Sequence, residues 1–366
     1  MSELAASHIL ALTAYEPGKP ADELTRELGI QDVVKLASNE NPYGASPRAI
    51  EAVSGASLEL HRYPDPRGYE LRQALAAHHG ARAEEIGLGN GSNELIDLIC
   101  RVCASRTEHA VFGHPSFPCY RIASIAQELD HTAVPLRDHL HWNVDDLLEA
   151  VTPATKLLFV ANPNNPTGSY VSGGELERLL RSLPEQVLAI VDEAYVEYAD
   201  AADFKPATEL RDTRERLAIL RTFSKAYGLA ALRVGYVIGS VELIAHLERL
   251  RAPFNVGTAG QVGARAALAD QAHLRASVEA TVRDRHELTR ALETEGFRVA
   301  PSQANFVLVD VARPGRAVYD ALLHEGVIVR PMPAPLGSWI RVTVGLPHEN
   351  ERFLESLRTV LRKARV

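Results

Sequence analysis

Between residues 85 and 251 two kinds of pattern alternate, and that alternation limits the fold more than any other feature. The first kind is short and apolar: EIGLG (85–89), HAVFG (109–113), HTAVPL (131–136), KLLFVAN (156–162), VLAIVDE (187–193), LAILRTF (217–223) and VGYVIG (234–239). The second has helical periodicity: NELIDLICRV (93–102), a stretch near 118–127, VDDLLEAV (144–151), GGELERLLRSL (173–183) and VELIAHLERLR (241–251). Strands that are apolar on both faces and joined by helices predict a mostly parallel sheet covered on both sides.

The flanks read differently. Residues 1–35 form an arm with two short helical patterns, broken at Pro17, Gly18 and Pro20. Residues 36–252 are expected to form a large α/β domain. Residues 253–366 carry two long helical stretches and three strand candidates, NFVLVDV (305–311), GVIVRP (326–331) and WIRVTVG (339–345). A last amphipathic helix follows at 350–364. That pattern predicts a smaller α+β domain. A chain of 366 residues has room for two cores.

Several function classes drop out early. The formal charge of −8 argues against general nucleic-acid binding. No apolar run reaches the roughly 18 residues of a membrane span. MSELAASHIL has no basic leader region, so a cytoplasmic protein is expected. The three cysteines suit a reducing compartment. Cys100 and Cys103 form a CxxC, read as two buried positions on one helix face. No histidine or cysteine spacing looks like a metal site.

In an open parallel sheet, ligands bind beyond the carboxyl ends of the strands. Four strand ends here carry unusual residues. NGSNE (90–94) opens a helix with Gly91, Ser92 and Asn93, and a helix start with free N–H groups suits a phosphate. NPNNPTG (162–168) is a rigid polar turn. Asp192 and Tyr195 end the next strand, and Ser224 and Lys225 the one after. The chain has 33 arginines and only six lysines, so a lysine here asks for a reason. A primary amine with no acid close in sequence can attack an aldehyde. An acid at a buried strand end can hold a cationic ring nitrogen. Phosphate, aldehyde and pyridine nitrogen are the three parts of pyridoxal phosphate.

At this point GNGSNE, NPNNPTG, DEAYVEY and RTFSKAYGLAALRVGY, in that order, resemble the fold-type-I pyridoxal-phosphate-dependent aminotransferases. KLASNENPYG (35–44), RYPD (62–65), PFNV (253–256), the NF of ANF (305–306) and GVIVRP are similar to the histidinol-phosphate aminotransferase branch. The resemblance implies that Lys225 binds the cofactor aldehyde and that Asp192 pairs with the pyridine nitrogen. It implies that Tyr195 and Asn165 bond the ring oxygen and that Phe117 stacks on the ring. Gly91, Ser92, Asn93, Thr222, Ser224 and Arg233 would hold the phosphate. Tyr63 would reach the site of a second subunit, which implies a homodimer. Arg341 would clamp the substrate carboxylate, with Tyr15 and Arg330 near the distal substrate phosphate. Histidinol phosphate and 2-oxoglutarate are the implied substrates.

Three other readings compete. The segment PMPAPLGSWI (331–340) is apolar, which favours an aromatic amino-acid aminotransferase. A related decarboxylase would keep the cofactor and change the reaction, although SKAYGLAALRVG fits the aminotransferases better. GLGNG (87–91) resembles a dinucleotide turn but lacks the third glycine of a nicotinamide site.

Overall fold

The computed structural model describes residues 4–14 and 18–363. Seven strands form the large sheet: β1 (Ile86–Asn90), β2 (His109–His114), β3 (Asp130–Pro135), β4 (Thr155–Ala161), β5 (Leu188–Asp192), β6 (Leu217–Thr222) and β7 (Val234–Ile238). Their order is β1-β7-β6-β5-β4-β2-β3, and only β7 runs against its neighbours. Both faces are covered. Val111, Leu158, Val160, Ala189, Val191 and Ile219 belong to one apolar cluster, and Ala110, Phe112, Leu157, Phe159, Ile190 and Leu220 to the other. Adjacent residues of one strand thus feed opposite cores, which is why these strands read as continuous apolar runs. Each such Val, Leu, Ile or Phe contributes about 1.5–3 kcal/mol by leaving water, and each alanine less.

The reversed strand has a use. Because β7 starts at the edge where β1 and β6 end, Gly235 lies opposite both Gly89 and Thr222. Arg233, just before β7, is delivered to that same edge. Similarly, Asp192 is in register with Ala161 on one side and Leu220 on the other.

The small sheet is antiparallel. It comprises β8 (Arg298–Ala300), β9 (Phe306–Asp310), β10 (Arg330–Pro331) and β11 (Trp339–Thr343), in the order β10-β11-β9-β8. Val307, Val309, Ile340 and Val342 pack one face onto the helices Gly315–His324 and Pro347–Lys363 through Val318, Leu322, Phe353 and Leu357. GVIVRP is not one strand. Val327–Ile328 pairs in parallel with Val34–Lys35, while Arg330–Pro331 pairs with Ile340 and Arg341. The segment therefore serves two sheets, with buried Val329 at the switch. Helix Thr258–Ala269 packs on helices Pro47–Ala56 and Tyr69–His79. Its Ala264, Ala267 and Leu268 join the core of the large sheet.

Beneath the strand ends, Glu193 accepts from Arg221 Nε at 2.9 Å and Nη2 at 2.7 Å, and from Ala207 N–H at 2.5 Å. Both ionic side chains are buried. Removing Glu193 takes away both of its contacts to Arg221 and leaves that buried guanidinium the charge of Glu197. Glu193→Ala is therefore expected to lose about 3–5 kcal/mol of stability, read from urea unfolding midpoints. A loss under about 1 kcal/mol would mean that the pair carries little.

Cys100, Cys103 and Cys119 are all free, and burial pushes their thiols up to about 12, 11 and 12. The CxxC is thus a pair of packed helix positions with little thiolate at neutral pH. No helix among the described residues is long and apolar enough to cross a membrane.

Candidate active site

A cavity of about 470 Å³ opens beyond the carboxyl ends of β1, β4, β5 and β6. At one end, β1 runs straight into helix Gly91–Cys103. Gly91 has φ of 75°, and a Cβ there would lie 2.6 Å from Arg233 Nη2. A Cβ on Gly235 would lie 2.3 Å from Ser92 N. Only glycine lets this turn, β7 and the guanidinium approach so closely. Arg233 itself has φ of 54° and donates from Nη1 to Ser224 Oγ at 3.2 Å. Ser92, Asn93, Thr222, Ser224 and Arg233 line this end. A helix N-terminus, hydroxyls and one arginine make a cradle for a phosphate-sized anion. Gly91 leaves the room that lets the arginine close on it.

In the middle of the cavity, Asp192 is held on both oxygens. Tyr120 O–H donates to Oδ2 at 2.8 Å, and Ala194 N–H donates to Oδ1 at 3.2 Å. Burial pushes the Asp192 carboxyl up to about 6, and both hydrogen bonds oppose that rise. The Tyr120 ring stacks on Phe159 at 4.9 Å and meets Phe117 edge-on at 5.7 Å. Phe117 lines the cavity beside them.

Lys225 is partly buried, and its Nζ donates to the Ser38 carbonyl at 3.1 Å. Burial, and next the charge of Arg341, push its amine down to about 8. An amine in that range keeps a nucleophilic fraction near neutral pH. Its Nζ stands 5.8 Å from the Tyr195 ring centroid. The Tyr195 hydroxyl accepts from Asn39 Nδ2 at 2.9 Å, and its ring meets Phe306 edge-on.

The far wall comes from the small sheet. Arg341 donates from Nη1 to Asn165 Oδ1 and from Nη2 to the Ala37 carbonyl at 2.9 Å. Its guanidinium lies 5.3 Å from the Phe306 ring centroid. Arg330 is the register partner of Arg341, and both line the cavity with Asn165.

Most residues singled out in the sequence thus meet in one cavity. Tyr63 does not. It is 81% exposed and stacks on Phe254 at 4.5 Å, away from the lining residues. Its expected role is at a neighbouring subunit's site, and within one chain it faces outward. Tyr15 lies outside the described residues. Two contributors were missed. Tyr120 follows Phe117 by three positions, a spacing that puts both on one side of a helical turn. Asn39 sits in the polar run SNENP directly after the apolar LA of 36–37.

Known proteins resemble this chain over nearly its whole length. The family model for aminotransferase class I and II matches residues 31–357. Histidinol-phosphate aminotransferase 2 of Methylococcus capsulatus is 44% identical, with 99% of each chain covered. Histidinol-phosphate aminotransferase 2 of Pseudomonas aeruginosa is also 44% identical, with 98% of each covered. Among solved structures, histidinol-phosphate aminotransferase from Sinorhizobium meliloti in complex with pyridoxal-5′-phosphate superposes with a TM-score of 0.90 at 28% identity. That match covers 100% of this chain and 99% of that one. Matched over nearly its whole length, the chain belongs to the class I and II aminotransferases.

Proposed function

We propose that this enzyme transfers an amino group between histidinol phosphate and 2-oxoglutarate, using pyridoxal phosphate. The carrying observation is the pair Arg330 and Arg341 at one end of a cavity whose other end is already a phosphate cradle. A substrate here meets two guanidinium forks beyond the cofactor, which suits a phosphate ester in one half-reaction and a dicarboxylate in the other. Named relatives over the full length support the same substrate.

The residues fit the cofactor. Ser92, Asn93, Thr222, Ser224 and Arg233 would hold its phosphate, and Phe117 would pack against its ring. Asp192 would pair with the ring nitrogen. The Asn165 Oδ1 is taken by Arg341, which leaves Nδ2 to donate to the ring oxygen beside Tyr195. Bound pyridoxal phosphate supplies the aldehyde that carries the amino group and a ring that withdraws electrons. Lys225 Nζ would hold the aldehyde at rest. Once displaced by a substrate amine, Lys225 would be free to take the proton from the substrate α-carbon as general base and to hand it on, as general acid, to the carbon that had carried the aldehyde.

The apolar segment 331–340 does not argue for an aromatic substrate. Met332, Leu336 and Trp339 pack with Leu140, Ala300 and Leu308 in a separate core cluster. Side-by-side turnover of histidinol phosphate and phenylalanine tests the reading. Histidinol phosphate is expected to show the higher kcat/KM by at least about tenfold, and a preference for phenylalanine would overturn it.

The working form is a cytoplasmic homodimer. Leu58, Leu60, Tyr63 and Tyr69 are exposed apolar side chains near one another in sequence, with Phe254 stacked on Tyr63. A second copy would cover them and receive Tyr63 at its phosphate cradle. Sedimentation velocity is expected to give a dimer, and Tyr63→Ala to weaken cofactor binding. A stable monomer that binds cofactor normally would rule this out.

A further inference from the structure

Three consecutive residues, Ala37, Ser38 and Asn39, each touch a different side chain of the site. The Ala37 carbonyl accepts from Arg341, the Ser38 carbonyl accepts from Lys225, and the Asn39 amide donates to the Tyr195 hydroxyl. The first two contacts use backbone oxygens that any residue would supply. The third needs a particular side chain. Asn39 is buried and has φ of 54°, a backbone region that asparagine tolerates better than most residues.

The hydrogen-bond network fixes which way this amide points. Thr343 Oγ1 accepts the Asn39 backbone N–H at 2.9 Å, and its own proton goes to Asn39 Oδ1 at 3.1 Å. Nδ2 is then the atom left to face Tyr195, at 2.9 Å. Asn305 Nδ2 holds the Asn39 carbonyl at 3.1 Å, so the backbone is pinned too. A tyrosine oxygen that accepts from Asn39 keeps its own proton for a different acceptor. Tyr195 also lines the cavity.

We propose that Asn39 is a positioning residue for the transamination: it makes the Tyr195 hydroxyl a hydrogen-bond donor toward the cofactor ring oxygen, and through Thr343 it ties that hydroxyl to the small sheet. The proposal rests on the cofactor reading above. It assigns a task to a cavity-lining side chain that acts through Tyr195. It also gives β11 two routes into the site, one by way of Arg341 and one by way of Thr343.

The ionisable groups around this hydroxyl include Lys225 over the ring, Asp192 at the same strand end, the buried phenols of Tyr120 and Tyr198, Arg341 on β11, and Glu40, which follows Asn39 in the chain. Asn39 and Thr343 carry no charge. Thr343→Val therefore loosens the amide without altering the local charge. Asn39→Asp does the opposite, placing an acceptor where the donor stood and turning the tyrosine proton away from the cavity.

The test uses apoprotein titrated with pyridoxal phosphate, together with the absorbance of the bound cofactor as a function of pH. A ring oxygen that loses a directed donor stabilises negative charge less well, so the bound chromophore keeps its proton to higher pH. Asn39→Asp is expected to raise that midpoint by about one pH unit and the cofactor Kd by about tenfold. Thr343→Val and Asn39→Ala are expected to shift both in the same direction by smaller amounts. The KM for substrate, governed by Arg341, should change less than kcat. If Asn39→Asp fails to fold, the other two variants decide. Wild-type midpoints and Kd values in folded Thr343→Val and Asn39→Ala, with only a lowered Tm, would reduce Asn39 to a structural role and overturn the proposal. Failure of the wild-type apoprotein to take up the cofactor would instead overturn the reading beneath it.

Discussion

Replacing Lys225 by alanine is expected to leave a folded protein in which borohydride fixes no cofactor and turnover falls by at least about 10⁴-fold. The expectation rests on chemistry that no neighbour can supply. Thr222, Ser224 and Tyr195 line the same cavity, but none is an amine. Arginine could not substitute, because a guanidinium stays protonated. The amine is depressed from 10.5 to about 8, chiefly by burial. Between those values the unfolded chain holds a proton that the native state has released, so this group makes stability rise with pH from about 8 to 10.5. Below pH 8 the burial penalty stands in full. Lys225→Ala should therefore be no less stable than wild type at neutral pH, and lost activity cannot be blamed on unfolding. In the wild type, cofactor uptake by the apoprotein should quicken with pH and level off above about 8, as the neutral amine becomes the main form. Full turnover by Lys225→Ala would remove the lysine from its role.

The second large effect is expected at Asp192. Asp192→Ala should weaken cofactor binding by at least tenfold and lower kcat by about 10²–10³-fold, the scale for losing one preorganised electrostatic partner. A buried carboxylate in register between two strand ends can meet a cationic nitrogen without reorganising. Its ionisation is the weak point. Burial pushes it up to about 6 in the cofactor-free protein, so cofactor uptake by the apoprotein should weaken as pH drops through that value and the carboxylate takes up a proton. Tyr120 stabilises the ionised form by its hydrogen bond. Tyr120→Phe should accordingly move the acid limb of this uptake profile to higher pH. Wild-type kinetics in Asp192→Ala would exclude it as the ring-nitrogen partner.

How much of this was legible in the sequence depended on range. Strands β4, β5 and β6 were legible because continuous apolar runs have few other uses. Their polar ends were legible because strand ends face the crevice. Side chains that act through a neighbour were harder to see. Tyr120 reads as one more core aromatic until its hydroxyl is found on Asp192. Asn39 reads as a turn former because Thr343, which orients it, is 304 positions away. Packing partners of helices were equally hidden. Ala264 and Leu268 are apolar on any reading, and only the fold shows that they face helices from the first eighty residues. GVIVRP looked like one strand because periodicity cannot reveal a change of sheet at Val329.

One consequence concerns synthesis. Val34 pairs with Val327, and Leu36 receives the Thr343 N–H, so the start of the chain waits for nearly its end. By contrast, Ser92, Asp192, Thr222, Ser224, Lys225 and Arg233 are all encoded before β7 is complete. A nascent chain emerging amino-terminus first can thus assemble the cradle on the large sheet well before Arg330 and Arg341 leave the ribosome. The growing polypeptide acquires a place for its coenzyme early and a place for its substrates last. Until then Val34 and Leu36 lack the strand partners they have in the finished fold.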